Sequence, residues 1–175
     1  MAQPEFWLRG PVEGVDLALM PAAHALLQTV EDVGHAVDDL PHDLFWTSPG
    51  GAPSIGFHVM HLSGSTDRLL TYARGERLDE RQKAALAAEK DPPQVDAAAL
   101  LDALHRTFDA AMAQIRATPP SSLRDARAVG RARLPTTVLG LIFHAAEHSQ
   151  RHAGQIVTTA KILRGSTSST DRARL

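Results

Sequence analysis

Cysteine is absent from the 175-residue chain. Its absence excludes thiolate zinc sites, disulfides and a cysteine nucleophile, so any reactive thiol must come from a small molecule. No uninterrupted apolar run approaches the roughly 20 residues needed to cross a bilayer. The start, Met1-Ala-Gln-Pro-Glu5, lacks the basic and apolar regions of a secretory signal. A cytoplasmic protein without a membrane partner is expected. Strong charge of one sign is also lacking. The net charge is −2 and the pI about 6.5, which argues against a nucleic-acid partner. The balance is uneven, with 7 Lys/Arg against 13 Asp/Glu in residues 1–90 and 11 against 7 in residues 91–175. Much of the basic excess lies in Arg124, Arg127, Arg131 and Arg133, which read either as a solvated loop or as an attractor for an anionic ligand.

What the chain does have is helical periodicity, broken by proline and glycine. A first helix is expected over Leu19–Leu40, with Leu26, Leu27, Val30, Val33 and Val37 on its apolar stripe and Pro21 tolerated in the first turn. Pro41 and the stretch Thr47-Ser-Pro-Gly-Gly-Ala-Pro53 then interrupt the chain. A second helix runs from Ser54 to Arg74, with Gly75 as its stop. Residues 76–95 suit a crossover with a short helix near 79–89. In the third helix Leu100, Leu101, Leu104, Phe108, Met112 and Ile115 recur at three- and four-residue steps, and Thr118-Pro-Pro120 ends it. Residues 119–135 read as an Arg-rich connection, and no strand shows comparable alternation apart from short ambiguous stretches. A fourth helix starts at Thr136 and stops at Gly165, leaving residues 166–175 as a disordered tail. Four long helices with one crossover predict an all-α four-helix bundle over residues 1–165.

The fourth helix carries the chemistry. It contains His144, His148 and His152 at four-residue spacing, followed by Gly154-Gln155. In a helix these positions share a stripe that drifts by about 40° per step, and adjacent Cβ atoms on it lie about 5–6 Å apart. Two imidazoles so placed can converge on one cation at about 2.0–2.1 Å. The second helix offers His58-Val-Met-His61 as a source of a further ligand. His24, His35, His42 and His105 are isolated and read as surface or capping residues.

The segments Gly56-Phe-His58-Val-Met-His61-Leu-Ser-Gly-Ser65-Thr-Asp67-Arg68-Leu-Leu-Thr-Tyr72 and His148-Ser-Gln-Arg-His152-Ala-Gly154-Gln155 together resemble the DinB/YfiT-like superfamily, over roughly Leu17 to Gly165. The most specific element is the terminal H-x-x-x-H-x-G-Q. The resemblance implies an up-up-down-down bundle with a divalent metal near one end, held by one histidine of the second helix and the pair on the fourth. By position these are His61, His148 and His152. His58 competes with His61, which is preferred because Leu62-Ser63-Gly64 follows it in the manner of the family ligand. His144, Glu147 and Gln155 are candidates for further ligation or for orienting a ligand, with Glu147 also able to pair with Arg151 at i+4. Known relatives include bacillithiol- and mycothiol-dependent thiol S-transferases and a mycothiol-dependent maleylpyruvate isomerase.

Three neutral imidazoles leave an ion its full charge and an open coordination position, a mark of catalytic sites. Nitrogen ligands suit zinc or nickel first, with iron or manganese as further options. With its relatives, the resemblance implies a metal-dependent thiol S-transferase acting on small electrophiles, with a low-molecular-weight thiol as cosubstrate. A small-molecule substrate and a homodimer complete the expected partners, and no catalytic side chain is assigned. The alternatives are a metal-dependent hydrolase and a non-enzymatic, metal-stabilised interaction module. His144-Ala-Ala-Glu147-His148 also matches the H-x-x-E-H peptidase pattern, but no carboxylate follows it outside the tail. The absence of Glu-x-x-His excludes a di-iron carboxylate centre.

Overall fold

The computed structural model describes residues 3–172, and residues 166–172 by backbone alone. Its helices, in chain order, are α1 (Met20–Val37), α2 (His42–Phe45), α3 (Ile55–Ala73), α4 (Glu80–Ala88), α5 (Ala97–Ala117) and α6 (Val138–Arg172). A hairpin of β1 (Ala126–Val129) and β2 (Leu134–Thr137) lies between α5 and α6. Among the described residues the protein is all-α apart from this hairpin.

Local chemistry accounts for the helix ends. The side chain of Ser54 accepts the Phe57 N–H at 3.1 Å and starts α3. Gly75, at φ 82, closes it: the Gly75 N–H donates to the Tyr72 carbonyl and the Glu76 N–H to that of Thr71. Asp79 and Gln82 form a reciprocal capping box at the start of α4. The first helix stops at Val37 rather than Leu40: Asp38 leaves the helical region with ψ 131, and Asp39 follows with a left-handed φ of 56. The fourth long helix runs through Gly165 to Arg172, past its expected stop. An interior glycine costs a helix about 1 kcal/mol relative to alanine, and no proline follows to end it. The described helix includes the backbone of 166–172, and residues 173–175 lie outside the described residues.

The hairpin corrects the reading of 119–135 as plain connection. Its strands pair antiparallel, from Ala126 with Thr137 to Val129 with Leu134. Four-residue strands are too short to show alternation, and Pro135 masks the second. Gly130 and Arg133, at φ 67 and 49, make the turn.

Cross-helix hydrogen bonds fix the directions of the long helices. Gln150 donates to the Ala25 carbonyl and Arg164 to that of Asp38, so α6 runs parallel to α1. His58 meets His152 while His61 meets His148, so α6 runs antiparallel to α3. Trp46, which lies against Gly56 near the start of α3, donates to the Val95 carbonyl just before α5, and Gln114 near the end of α5 donates to the Leu70 carbonyl near the end of α3. Helices α3 and α5 are therefore parallel. The order is up-down-down-up, which corrects the up-up-down-down order implied by the resemblance. An up-up-down-down order needs two long crossovers. Here only the α3–α5 connection travels the length of the helices, and it carries α4. Leu26, Val33, Val59, Leu62, Leu104, Ile115, Ile142 and Ile156 fill the core between the long helices.

Two glycines distinguish packing from propensity. A Cβ on Gly56 would lie 2.7 Å from the Trp46 ring, whereas one on Gly34 in α1 meets nothing within 4 Å. Gly56→Ala should destabilise the fold by about 1–3 kcal/mol through overpacking. Gly34→Ala should leave stability unchanged or raise it by up to about 1 kcal/mol. Urea unfolding of both variants beside the parent checks the pair.

Candidate metal centre

The buried stripe of α6 includes the small residues Ala145, Ala146, Ser149 and Ala153, of which Ser149 meets α3. The Ser149 hydroxyl donates to its own helix at Ala145 and lies 3.4 Å from the Thr66 hydroxyl on α3. This close approach brings histidines of the two helices together. The candidate ligand nitrogens of His61, His148 and His152 all lie within 4.8 Å of one another, and the three rings are half-buried. The Nε2 atoms of His61 and His148 are 3.4 Å apart. Two nitrogens bound to one tetrahedral ion at about 2.0–2.1 Å would be separated by about 3.3–3.4 Å. The donor set and its spacing therefore fit a divalent cation.

The surrounding groups set which nitrogens face inward. His61 Nδ1 is 2.8 Å from Glu89 Oε2, at the end of α4. With Nδ1–H donating to that carboxylate, His61 Nε2 keeps its lone pair toward the cluster. Arg68 lies 2.8 Å from the other Glu89 oxygen and neutralises the carboxylate, both side chains being about nine-tenths buried. Gly64 makes room for this pair: a Cβ there would lie 2.7 Å from the Arg68 guanidinium and 3.0 Å from Glu89. Burial alone would push the Glu89 carboxyl up, but hydrogen bonds from His61 and Arg68 outweigh it and hold the group below the usual carboxylate range. Phe57 stacks on His61 with the ring planes 9° apart.

His58 stands behind the cluster. It is buried, and its Nδ1 is 2.9 Å from His152 Nδ1, so one ring donates to the other. With His152 as donor, its Nε2 is left with a free lone pair. His148 Nδ1 is buried and has no hydrogen-bond partner among the described residues. Such an orphaned group costs about 1–3 kcal/mol.

The remaining candidates are dispersed. His144 is half-exposed, with Nδ1 2.7 Å from Glu147. Glu147 also accepts from Arg151, the i+4 pairing anticipated from the sequence. Gln155 is exposed. None of His24, His35, His42 and His105 joins the cluster. Glu89 and Arg68 were not picked out as site residues. The one available signal for Glu89 is its place at a helix C-terminus, where an acid is disfavoured by the helix dipole unless it is otherwise held. His61, Phe57 and Glu89 line a cleft of about 1400 Å³ whose other walls come from the α3–α5 connection and the hairpin.

The sequence matches the DinB superfamily over residues 25–156, and the chain belongs to that family. A crystal structure of a protein from Streptococcus pneumoniae has a similar fold, with a TM-score of 0.61 over 82% of this chain and 88% of that one, at 13% sequence identity. No curated protein matches the sequence. Among the described residues no helix is long and apolar enough to cross a membrane.

Burial, with His61 nearby, lowers the imidazole pKa to about 4 in His58 and His148 and about 3 in His152. The rings are thus neutral, lone pairs available, near neutral pH. In the unfolded chain they take up protons near their ordinary value of 6.5. Between that pH and the folded values the unfolded state binds more protons, so stability rises with pH. Metal-free protein should hold this contribution fully above about 6.5 and lose it steadily as pH falls through about 4. Urea unfolding in chelator at several pH values tests the slope, and a flat profile between pH 7 and pH 5 would contradict it.

Proposed function

We propose that this DinB superfamily member is a metal-dependent thiol S-transferase, with a divalent ion held by His61, His148 and His152 in an up-down-down-up four-helix bundle. The observation that carries the reading is the convergence of His61, His148 and His152, the last two held neutral by burial, with His61 on the wall of an open cleft. A structural ion is usually enclosed by four protein ligands, whereas three protein ligands beside a cleft leave a place for a substrate. That cleft favours an enzyme over an interaction module. A bound divalent ion supplies the Lewis acidity that makes a thiol, or water, a nucleophile near neutral pH.

The chain's own residues do the rest. Glu89 orients His61 by accepting its Nδ1–H, Arg68 keeps Glu89 ionised, and His58 orients His152. Phe57 lies parallel to the His61 ring, 5.7 Å away between centroids, and lines the cleft beside it. The thiol comes from outside, since the chain has no cysteine. Zinc or nickel suits the nitrogen donors first. The partners proposed are a small electrophile and a second copy of the chain, with a cytoplasmic setting.

Two measurements test the assignment. Protein purified without a histidine tag should contain close to one divalent ion per chain by elemental analysis. His148→Ala and His152→Ala should each abolish stoichiometric binding, and His61→Ala should weaken it severely. His144→Ala should do less. Glu89→Gln should weaken affinity about 10–100-fold and lower stability as well, because it leaves Arg68 buried without its counter-charge. Full metal content in both the His148 and His152 variants would remove the site.

The second measurement is turnover. Metal-loaded protein should accelerate conjugation of one of bacillithiol, mycothiol, glutathione or coenzyme A to an activated halogenated aromatic or an epoxide. That activity should vanish in His148→Ala while the helical circular-dichroism signal survives. Metal-dependent ester hydrolysis with no thiol present would favour the hydrolase instead. Silence toward every thiol and ester would favour the interaction module.

A further inference from the structure

The cleft beside the histidine cluster has a charge that the chain as a whole does not. Six of its lining residues are cationic, Arg77, Lys83, Lys90, Arg127, Arg131 and Arg133, against two acids, Glu76 and Glu89. Over the full sequence acids outnumber Lys and Arg, 20 to 18. Both cleft acids are already engaged, Glu76 by Arg74 and Glu89 by Arg68 and His61. Of the cations, Lys83 pairs with Glu80, and Arg127 is committed to the fold through the Ala73 carbonyl at the end of α3. Arg77, Lys90, Arg131 and Arg133 have no acidic partner among the described residues, and all four are exposed. They come from three separate segments: the link after α3, the end of α4 and the hairpin turn. An ordinary solvated face mixes its charges, but this wall collects unpaired positive ones around a concavity that also contains His61.

The hairpin turn adds an independent observation. Arg133 has φ 49, a left-handed conformation that is strained for a residue bearing a side chain and free of strain for glycine. Gly130 in the same turn, at φ 67, is the residue type that such a position favours. An arginine thus stands where folding alone would select glycine, and its side chain lines the cleft.

We propose that this basic wall is the recognition site for an anionic group, a carboxylate or a phosphate, on the small molecule that enters the cleft. The proposal rests on the metal-centre reading only in taking that molecule to be the one the centre acts on. Unpaired guanidinium and ammonium groups around a concave surface focus positive potential and raise the local concentration of anions. Arginine matches the planar geometry of carboxylate and phosphate through paired N–H donors. The slightly acidic pI and the concave shape favour a small anion over nucleic acid.

The test is isothermal titration of the full chain with succinate, citrate and inorganic pyrophosphate, and with neutral succinamide. Zinc-loaded protein and zinc-free protein are run in parallel, so that direct contact of a carboxylate with the ion is separated from the wall. The anions should bind in both forms, more weakly as salt rises, and succinamide should not. The triple variant Arg77→Ala/Arg131→Ala/Arg133→Gly should lose roughly tenfold or more in affinity. Arg133→Gly alone should weaken binding while its melting temperature stays level or rises, which excludes unfolding as the cause. A preference for pyrophosphate assigns a phosphate ester, and a preference for citrate or succinate a carboxylate. Equal affinity in the parent and the triple variant would overturn the proposal and leave the metal assignment standing. Variant-sensitive anion binding in a protein that takes up no metal would support the wall and remove the metal centre. Variant-sensitive binding of a single-stranded oligonucleotide, tighter than that of every small anion, would also overturn it.

Discussion

How closely α3 and α6 approach governs everything at the centre. Imidazoles on two helices can share a cation only if the backbones come near enough for short side chains to bridge the gap. Alanine and serine at 145, 146, 149 and 153 allow this on the α6 side, and Ser65 and Thr66 on the α3 side. The antiparallel crossing then sets the register. His58 faces His152 and His61 faces His148, so each ring on one helix has a counterpart on the other. A larger residue at Ser149 would meet Thr66, 3.4 Å away, and would spread the cluster without touching a histidine. Packing and chemistry are coupled at this crossing, and the four-residue histidine spacing matters only because of it.

A second constraint arrives from outside the long helices. The crossover returns along α3, tied to it by the Gln82 amide donating to the Thr71 hydroxyl, and delivers Glu89 to His61. A carboxylate so buried needs compensation, and Arg68 supplies it from α3 itself. Breaking one member of a buried pair costs far more than the pair contributes. The absence of a side chain at Gly64 is therefore part of the centre's construction, because a methyl group there would press on both partners.

These details explain what the sequence could disclose. The limits of α3 were legible because Ser54 and Gly75 are local signals that act within one turn. The histidine stripe of α6 was legible for the same reason, since its period is that of the helix. Helix directions were within reach: one long crossover already argues against up-up-down-down, yet the family resemblance suggested it. The hairpin was hidden by strands of four residues, one containing Pro135. Glu89 was hidden more deeply. Its partner His61 lies 28 positions away, and nothing in a crossover's composition says which of its acids turns inward. Arg131 and Arg133 were visible as a cluster, but only the fold places them in one cleft with His61.

The buried histidines also bear on which cation suits the pocket. A proton can be shared between two nitrogens at most, and a second proton on an adjacent ring meets the repulsion of the first. Desolvation by burial is the larger cause and this repulsion adds to it, so His148 and His152 resist protonation down to about 4 and about 3. A divalent ion takes three lone pairs at once and spreads its charge over all of them. The rings therefore stay neutral near neutral pH, with the lone pairs that a metal needs left available. Glu89 does not alter this balance, because Arg68 offsets its charge. Three neutral ligands would leave the ion's positive charge uncancelled, next to a wall whose own cations are unpaired. Both features draw an anionic molecule to the same place, the wall by its unpaired side chains and the centre by the charge its ligands leave exposed.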